Sequence, residues 1–169
     1  MMSKLSAMVC AARVGALLFA SGCTQLPTAP PPTSKINTPS DAIEAFFREM
    51  FREHEAVSRM AKLRCLSIGS YPTSPDPSPD FMARFSKDVP PVGAASQCGF
   101  DIGAFEKRTK APAIIFIADD LGCSTPQTCK VAGGYLIGNV GSSSATYIVE
   151  KRQGRWSVRI DESQPRVMS

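Results

Sequence analysis

Residues 113–118 read Ala-Ile-Ile-Phe-Ile-Ala, an uninterrupted apolar run whose length and β-branched content favour a buried strand. Downstream, apolar and polar residues alternate as in half-buried strands over residues 130–139, 145–151 and 155–161. Gln153-Gly154 separates the last two segments as a turn. The series predicts a meander of four antiparallel strands, to which residues 98–102 are a candidate fifth.

Three glycine-containing or acidic segments are predicted to interrupt this sheet. Gly133 and Gly134 stand inside a strand pattern, which is typical of a bulge where a sheet bends. Asp119-Asp120, before Leu121-Gly122, predicts a strand-ending turn; the alternative is half of a calcium loop, although such loops space their oxygens over about twelve residues. Residues 141–144 predict a flexible turn.

Upstream of the strands, apolar residues recur at helical spacing. Thr38 suits a helix cap and Pro39 the first helical position. The apolar positions are Ile43, Phe46, Phe47, Met50, Phe51, Val57 and Ala61. A short second helix should open at Ser78-Pro79 and bury Phe81, Met82 and Phe85. The predicted fold class is therefore α+β, with one long N-terminal helix on a curved antiparallel sheet of four to five strands.

The first residues have the pattern of an export signal. Lys4 and Arg13 precede the apolar stretch 14–20, and Ala-Ser-Gly leads directly into Cys23. This ending resembles the lipobox of Gram-negative bacterial lipoproteins, except that Ala20 stands where that family usually has Leu. The resemblance implies diacylglycerol on Cys23, an N-acyl chain such as palmitate, and an outer-membrane anchor facing the periplasm. The alternative is an ordinary signal peptide that is cleaved near Gly22.

The export signal is the first of four predicted segments of the chain. Residues 1–22 form the signal peptide, and residues 23–38 form a lipidated cysteine with a Pro-rich tether. A Pro-rich peptide ligand is the alternative for that segment, although a full docking motif is missing. Residues 39–163 form one α+β domain, and residues 164–169 form a tail. No apolar run reaches the roughly 18 residues of a membrane-spanning helix, which argues against a multipass membrane protein.

Four cysteines remain in the predicted domain. In an oxidising compartment an even number favours disulfides, and three pairings are possible. We favour Cys65–Cys98 with Cys123–Cys129, because the second pair closes a small loop and leaves the first two as partners. A zinc site is the competing interpretation, but the closest pair is spaced too widely and His54 is the sole histidine.

Few residues suggest catalysis, and the chain is predicted to be a non-enzyme without a metal or cofactor. It lacks a Gly-x-Ser-x-Gly motif and a phosphate loop. His54 and Tyr135 are the best candidates for the polar lining of a ligand pocket, although His54 also suits a boundary position in the core.

The charge balance argues against a nucleic-acid partner. Without Lys4 and Arg13, the chain has 17 basic and 15 acidic residues. Arg155 and Arg159 make the last hairpin locally basic. They are candidates for contacting an anionic envelope partner such as peptidoglycan, lipid A or an acidic protein, or they belong to a solvated sheet face.

The last hairpin carries a second resemblance. Thr146-Tyr147-Ile148-Val149 followed by Gly154-Arg155-Trp156-Ser157-Val158 is similar to the final hairpin of cystatin-like and nuclear-transport-factor-like cone folds. Ser78-Pro79-Asp80-Phe81, Ser96-Gln97-Cys98 and Gly133-Gly134-Tyr135 resemble stretches of a Gram-negative envelope family. These resemblances imply a fold and no activity.

Three functions fit these observations. The first is an outer-membrane-anchored periplasmic domain that binds a protein or an envelope component. The second is an inhibitor or immunity protein against a lytic enzyme or toxin. The third is a small-ligand-binding or enzymatic domain that uses the pocket of a cone fold.

Overall fold

The computed structural model describes residues 40–138 and 141–168, and in this part of the chain strands outnumber helices. The helices are α1 (Ser40–Glu53), α2 (Glu55–Ser58) and α3 (Pro79–Ala83). The strands are β1 (Leu63–Ile68), β2 (Val92–Ala94), β3 (Cys98–Phe100), β4 (Ala104–Glu106), β5 (Ala113–Thr125), β6 (Thr128–Leu136), β7 (Ser142–Arg152), β8 (Arg155–Ile160) and β9 (Val167–Met168).

Seven of these strands form one mixed sheet, so the predicted fold class is wrong. The order is β2-β1-β5-β6-β7-β8, with β9 beside β7. β1 pairs in parallel with both β2 and β5, whereas β5 to β8 are antiparallel. The predicted all-antiparallel, cystatin-like sheet therefore accounts for only four of the seven strands, β5 to β8. Sequence analysis missed β1 because Arg64 and Ser67 interrupt its apolar pattern and because its partners lie far away along the chain.

The predicted long helix is also wrong, because it is broken at His54. α1 ends at Glu53 and α2 contributes one further turn. The residues expected on the inner side are nevertheless buried in α1, from Ile43 to Phe51. Val57 is half-buried and Ala61 is buried beyond α2. Thr38 and Pro39, the predicted helix start, lie outside the described residues.

α1 packs on one side of the sheet, which we call the helix face. Phe46 and Phe47 of α1 are fully buried there, and the Phe46 ring meets Tyr147 of β7 edge-on, with 5.1 Å between centroids. Gly133 makes this approach possible, because a Cβ at that position would lie 2.6 Å from Phe46 Cζ. Ser78 caps α3, as expected, by accepting a hydrogen bond from the Phe81 amide. α3 buries Phe81, and the turn after it buries Phe85.

The β5–β6 pairing has two register shifts, and the first, on the β5 strand, lies opposite Gly133 of β6. Gly133 and Gly134 pair in unbroken register with β7, but the β5–β6 register shifts between Ala118 and Asp120. Because of the shift at Asp119 and Asp120, the apolar residues that follow, Leu121 and Cys123, still lie on the helix face. The strand thus continues through the segment that was predicted to end it. Residues 142–144, predicted to form a turn, are paired in β7.

The opposite side of the sheet, the back face, is covered only in part. Cys65, Ala113 and Ile115 form a small core there with Cys98 of β3 and Ala104 of β4. Cys65 and Cys98 join β1 to β3, and Cys123 and Cys129 join β5 to β6 across directly paired positions. Both predicted cysteine pairs are therefore at disulfide distance. In the predicted tail, Val167 and Met168 pair with β7.

Candidate functional site

The structure brings His54 and Tyr135 together at the corner between α1 and α2. His54 occupies the break between the two helices, where its amide donates to Met50 O at 3.1 Å. Tyr135 comes from β6, opposite Phe116 of β5 and Ser143 of β7. The two ring centroids are 4.3 Å apart, with the planes tilted by 50°. A break in the helix and a strand position thus create a contact between the two predicted lining residues.

His54 is a neutral group at this corner. Burial lowers its pKa from the ordinary value, so the imidazole is uncharged at neutral pH. Within the described residues its ring nitrogens have no hydrogen-bond partner, and thus no carboxylate orients them. The pair therefore presents a neutral donor–acceptor group beside a phenol, which can bind a polar ligand but does not form a complete acid–base dyad.

Tyr147 lies deeper on the same face and supports the corner without titrating. Burial, and then the nearby Glu53 carboxylate, raise the pKa of Tyr147 to about 12. The phenol therefore stays protonated under physiological conditions, and its ring contributes packing against Phe46.

Arg155 and Arg159 do not join this site. β8 directs Val158 and Ile160 toward the helix face, and alternation therefore places Arg155 and Arg159 on the back face. Arg159 lies 3.7 Å from Glu150, which also accepts from Arg152 at 2.7 Å. The four predicted binding residues thus divide into two groups on opposite sides of the sheet.

A groove of about 340 Å³ is also present among the described residues, between β5, β6, β7 and β9. Ile117, Leu136, Pro165 and Val167 contribute apolar walls, and serine residues 142–144 contribute polar atoms. Tyr135 lines this groove but His54 does not. The groove therefore does not unite the predicted pair in one cavity.

Sequence analysis missed two buried polar residues near the α1–α2 corner. Ser58, at the end of α2, is completely buried, and Arg64 of β1 is only 6% exposed. Ser58 Oγ and Arg64 Nε have no hydrogen-bond partner within the described part of the chain. No sequence signal marks them, because an arginine within an alternating segment is ordinarily assigned to the solvent side.

The predicted lipid attachment site is not among the described residues. Cys23, together with the signal peptide and the tether, lies outside the described residues. Residues 40–138 and 141–168 contain no cluster of three or more metal-ligating side chains. No helix in these ranges has the length and apolarity needed to cross a membrane. Comparisons with family models, curated proteins and solved structures find no match for this chain.

Proposed function

We propose that this chain is an exported lipoprotein, anchored in the outer membrane through Cys23, whose folded domain binds a protein or envelope partner in the periplasm. The single observation that supports export best is the state of the cysteines. Both pairs, Cys65–Cys98 and Cys123–Cys129, are at bonding distance, and such cross-links persist in oxidising compartments.

The lipobox-like sequence supports the anchoring part of the proposal. Ala-Ser-Gly-Cys ends an apolar segment, and a Pro-rich stretch follows it. Such a stretch favours extended polyproline conformations and spans at most about 3.1 Å per residue. It would hold the domain away from the membrane surface, where a partner can reach it.

Membrane fractionation of a Gram-negative host tests the anchor. The wild-type chain should require detergent for release, and globomycin should accumulate its unprocessed form. Cys23→Ala should abolish lipid labelling with radioactive palmitate. Cys10→Ala is the matched control, because this cysteine leaves with the signal peptide. Release of the wild type by salt alone would contradict the anchor.

The contact between His54 and Tyr135 favours a second candidate function, a small-ligand or enzymatic role at the α1–α2 corner. His54 is the only histidine in the chain, so its imidazole resonances are a unique NMR probe. A library of small polar fragments should contain compounds that shift these resonances in wild type but do not bind Tyr135→Ala. Absence of any such compound would remove this candidate.

A further inference from the structure

Arg64 differs from the other arginines of the described residues in being buried without an ionic partner. Its guanidinium carbon lies 4.6 Å from the centre of the Phe51 ring. The Phe51 ring in turn contacts Phe85 and Phe116, with centroid distances of 5.9 and 5.0 Å. The side chain is therefore packed against an aromatic cluster, and the Arg64 backbone amide donates to Pro91 O.

Two carboxylates lie close enough to act on Arg64, but other arginines hold both. Burial lowers the pKa of Arg64, and the carboxylates of Asp88 and Glu55 oppose this shift by stabilising its charged form. However, Asp88 is paired with Arg48 at 3.5 Å and Glu55 with Arg59 at 2.6 Å. Arg64 thus has negative charge nearby but no ion pair, and its buried Nε has no hydrogen-bond partner within the described residues.

The geometry of a guanidinium explains what such a residue can bind. The guanidinium carbon of Arg64 lies over the Phe51 ring, and a guanidinium carries its N–H donors in its own plane. These donors match the paired oxygens of a carboxylate or phosphate. A buried polar group with no partner is also costly, and folds retain such groups mainly where they act on something else.

We propose that Arg64 anchors a binding site for an oxyanion, supplied by a carboxylate or phosphate group of the ligand. This inference rests on the proposed binding role and names the chemistry of the partner. Phe51 holds the guanidinium in place, and the bound oxyanion accepts from its free donors. Ser58, whose Oγ is also without a partner, is six residues earlier at the end of α2.

Titration of the mature chain, extracted in a non-ionic detergent, tests the site. Inorganic phosphate and acetate are added separately, with sodium chloride keeping the ionic strength constant. We expect at least one of them to raise the melting temperature saturably, and the more effective anion identifies the oxyanion source. Arg64→Met should abolish the effect, and Arg64→Lys should weaken binding about tenfold because it keeps the charge but loses the fork. Arg108→Met, which replaces an exposed arginine in the turn after β4, is the matched control and should bind like wild type.

Two further readouts separate ligand binding from a structural role. Without added anion, Arg64→Met should melt at or above the wild-type temperature, because an unpartnered buried charge has been removed. In wild type, the Arg64 Nε–H resonance should shift as anion is added. The proposal is overturned if neither anion binds saturably, if Arg64→Met binds like wild type, or if the Nε–H resonance stays unchanged. Failure of the Cys23 anchor would leave all of these results unaffected.

Discussion

The helix face and the back face differ in whether their charged side chains have ionic partners. On the helix face, Phe46 and Phe116 are completely buried, and the Arg64 guanidinium lies over the Phe51 ring without an ionic partner among the described residues. On the back face, Lys130 pairs with Asp161 and Arg159 with Glu150. These charges of the back face are thus paired with one another, whereas Arg64 of the helix face has a buried Nε without a hydrogen-bond partner in the described part of the chain.

The largest expected difference between the faces is in packing energy. Phe46→Ala should lower the free energy of unfolding by about 3–5 kcal/mol, because a completely buried ring leaves a cavity. Ile148→Ala, in the half-buried back face of β7, should cost only about 1 kcal/mol. Urea denaturation followed by circular dichroism measures both. Equal losses would contradict the assignment of the main core to the helix face.

The two cysteine pairs also belong to different faces, and we expect different contributions. Cys65–Cys98 closes a sequence separation of 33 residues and Cys123–Cys129 one of only 6. On the chain-entropy relation, these loops correspond to about 3.8 and about 2.4 kcal/mol. Double alanine replacement of the first pair should therefore lower the melting temperature more. A larger loss from Cys123 and Cys129 would reverse the ranking, and non-reducing peptide mapping checks the pairing itself.

Acid should lower the stability of the fold by protonating Asp161, which pairs with Lys130 on the back face. The Lys130 ammonium, followed by Ser163, lowers the pKa of Asp161 to about 2 from an ordinary value of 3.8. Because the unfolded chain takes up this proton first, the contribution is complete above the ordinary value and is lost as the pH falls toward 2. Asp161→Asn should therefore reduce the free energy of unfolding at neutral pH. It should also make that free energy depend less on pH in the acid range. Thermal melts at a series of pH values measure this slope, and an unchanged slope in Asp161→Asn would exclude the ion pair as its source.

A smaller pH effect should arise on the helix face from His54. Burial lowers its pKa below 6.5, so the unfolded chain again binds the proton first. Stability should fall as the pH drops from 6.5 toward the folded-state pKa, and His54→Gln should remove that slope. Asp161→Asn serves as the control, because it should keep the slope in this range. A slope that persists in His54→Gln would assign the effect to another group.

Local sequence patterns located much of the fold. The alternation over residues 145–151 and 155–161 places β7 and β8 within a few residues, and the aromatic spacing identifies the buried side of α1. These patterns are readable because each depends only on neighbours within one strand or a few helical turns. The cysteine pairing followed from equally simple arithmetic of number and spacing. Residue type was enough to name His54 and Tyr135 as candidates, but it could not predict that their two rings are in contact.

Tertiary structure alone decided the parallel pairing of β1 with β2 and β5 and the environment of Arg64. β1 is a central strand because Leu66 and Phe116 meet across 50 residues of chain, and no local pattern encodes such a partner. The register shift in β5 depends on which residues must reach α1, and only the assembled core determines that. Arg64 is buried for the same reason: its strand lies beneath Phe51 in the folded chain, whereas its sequence neighbours are those of an ordinary half-exposed strand.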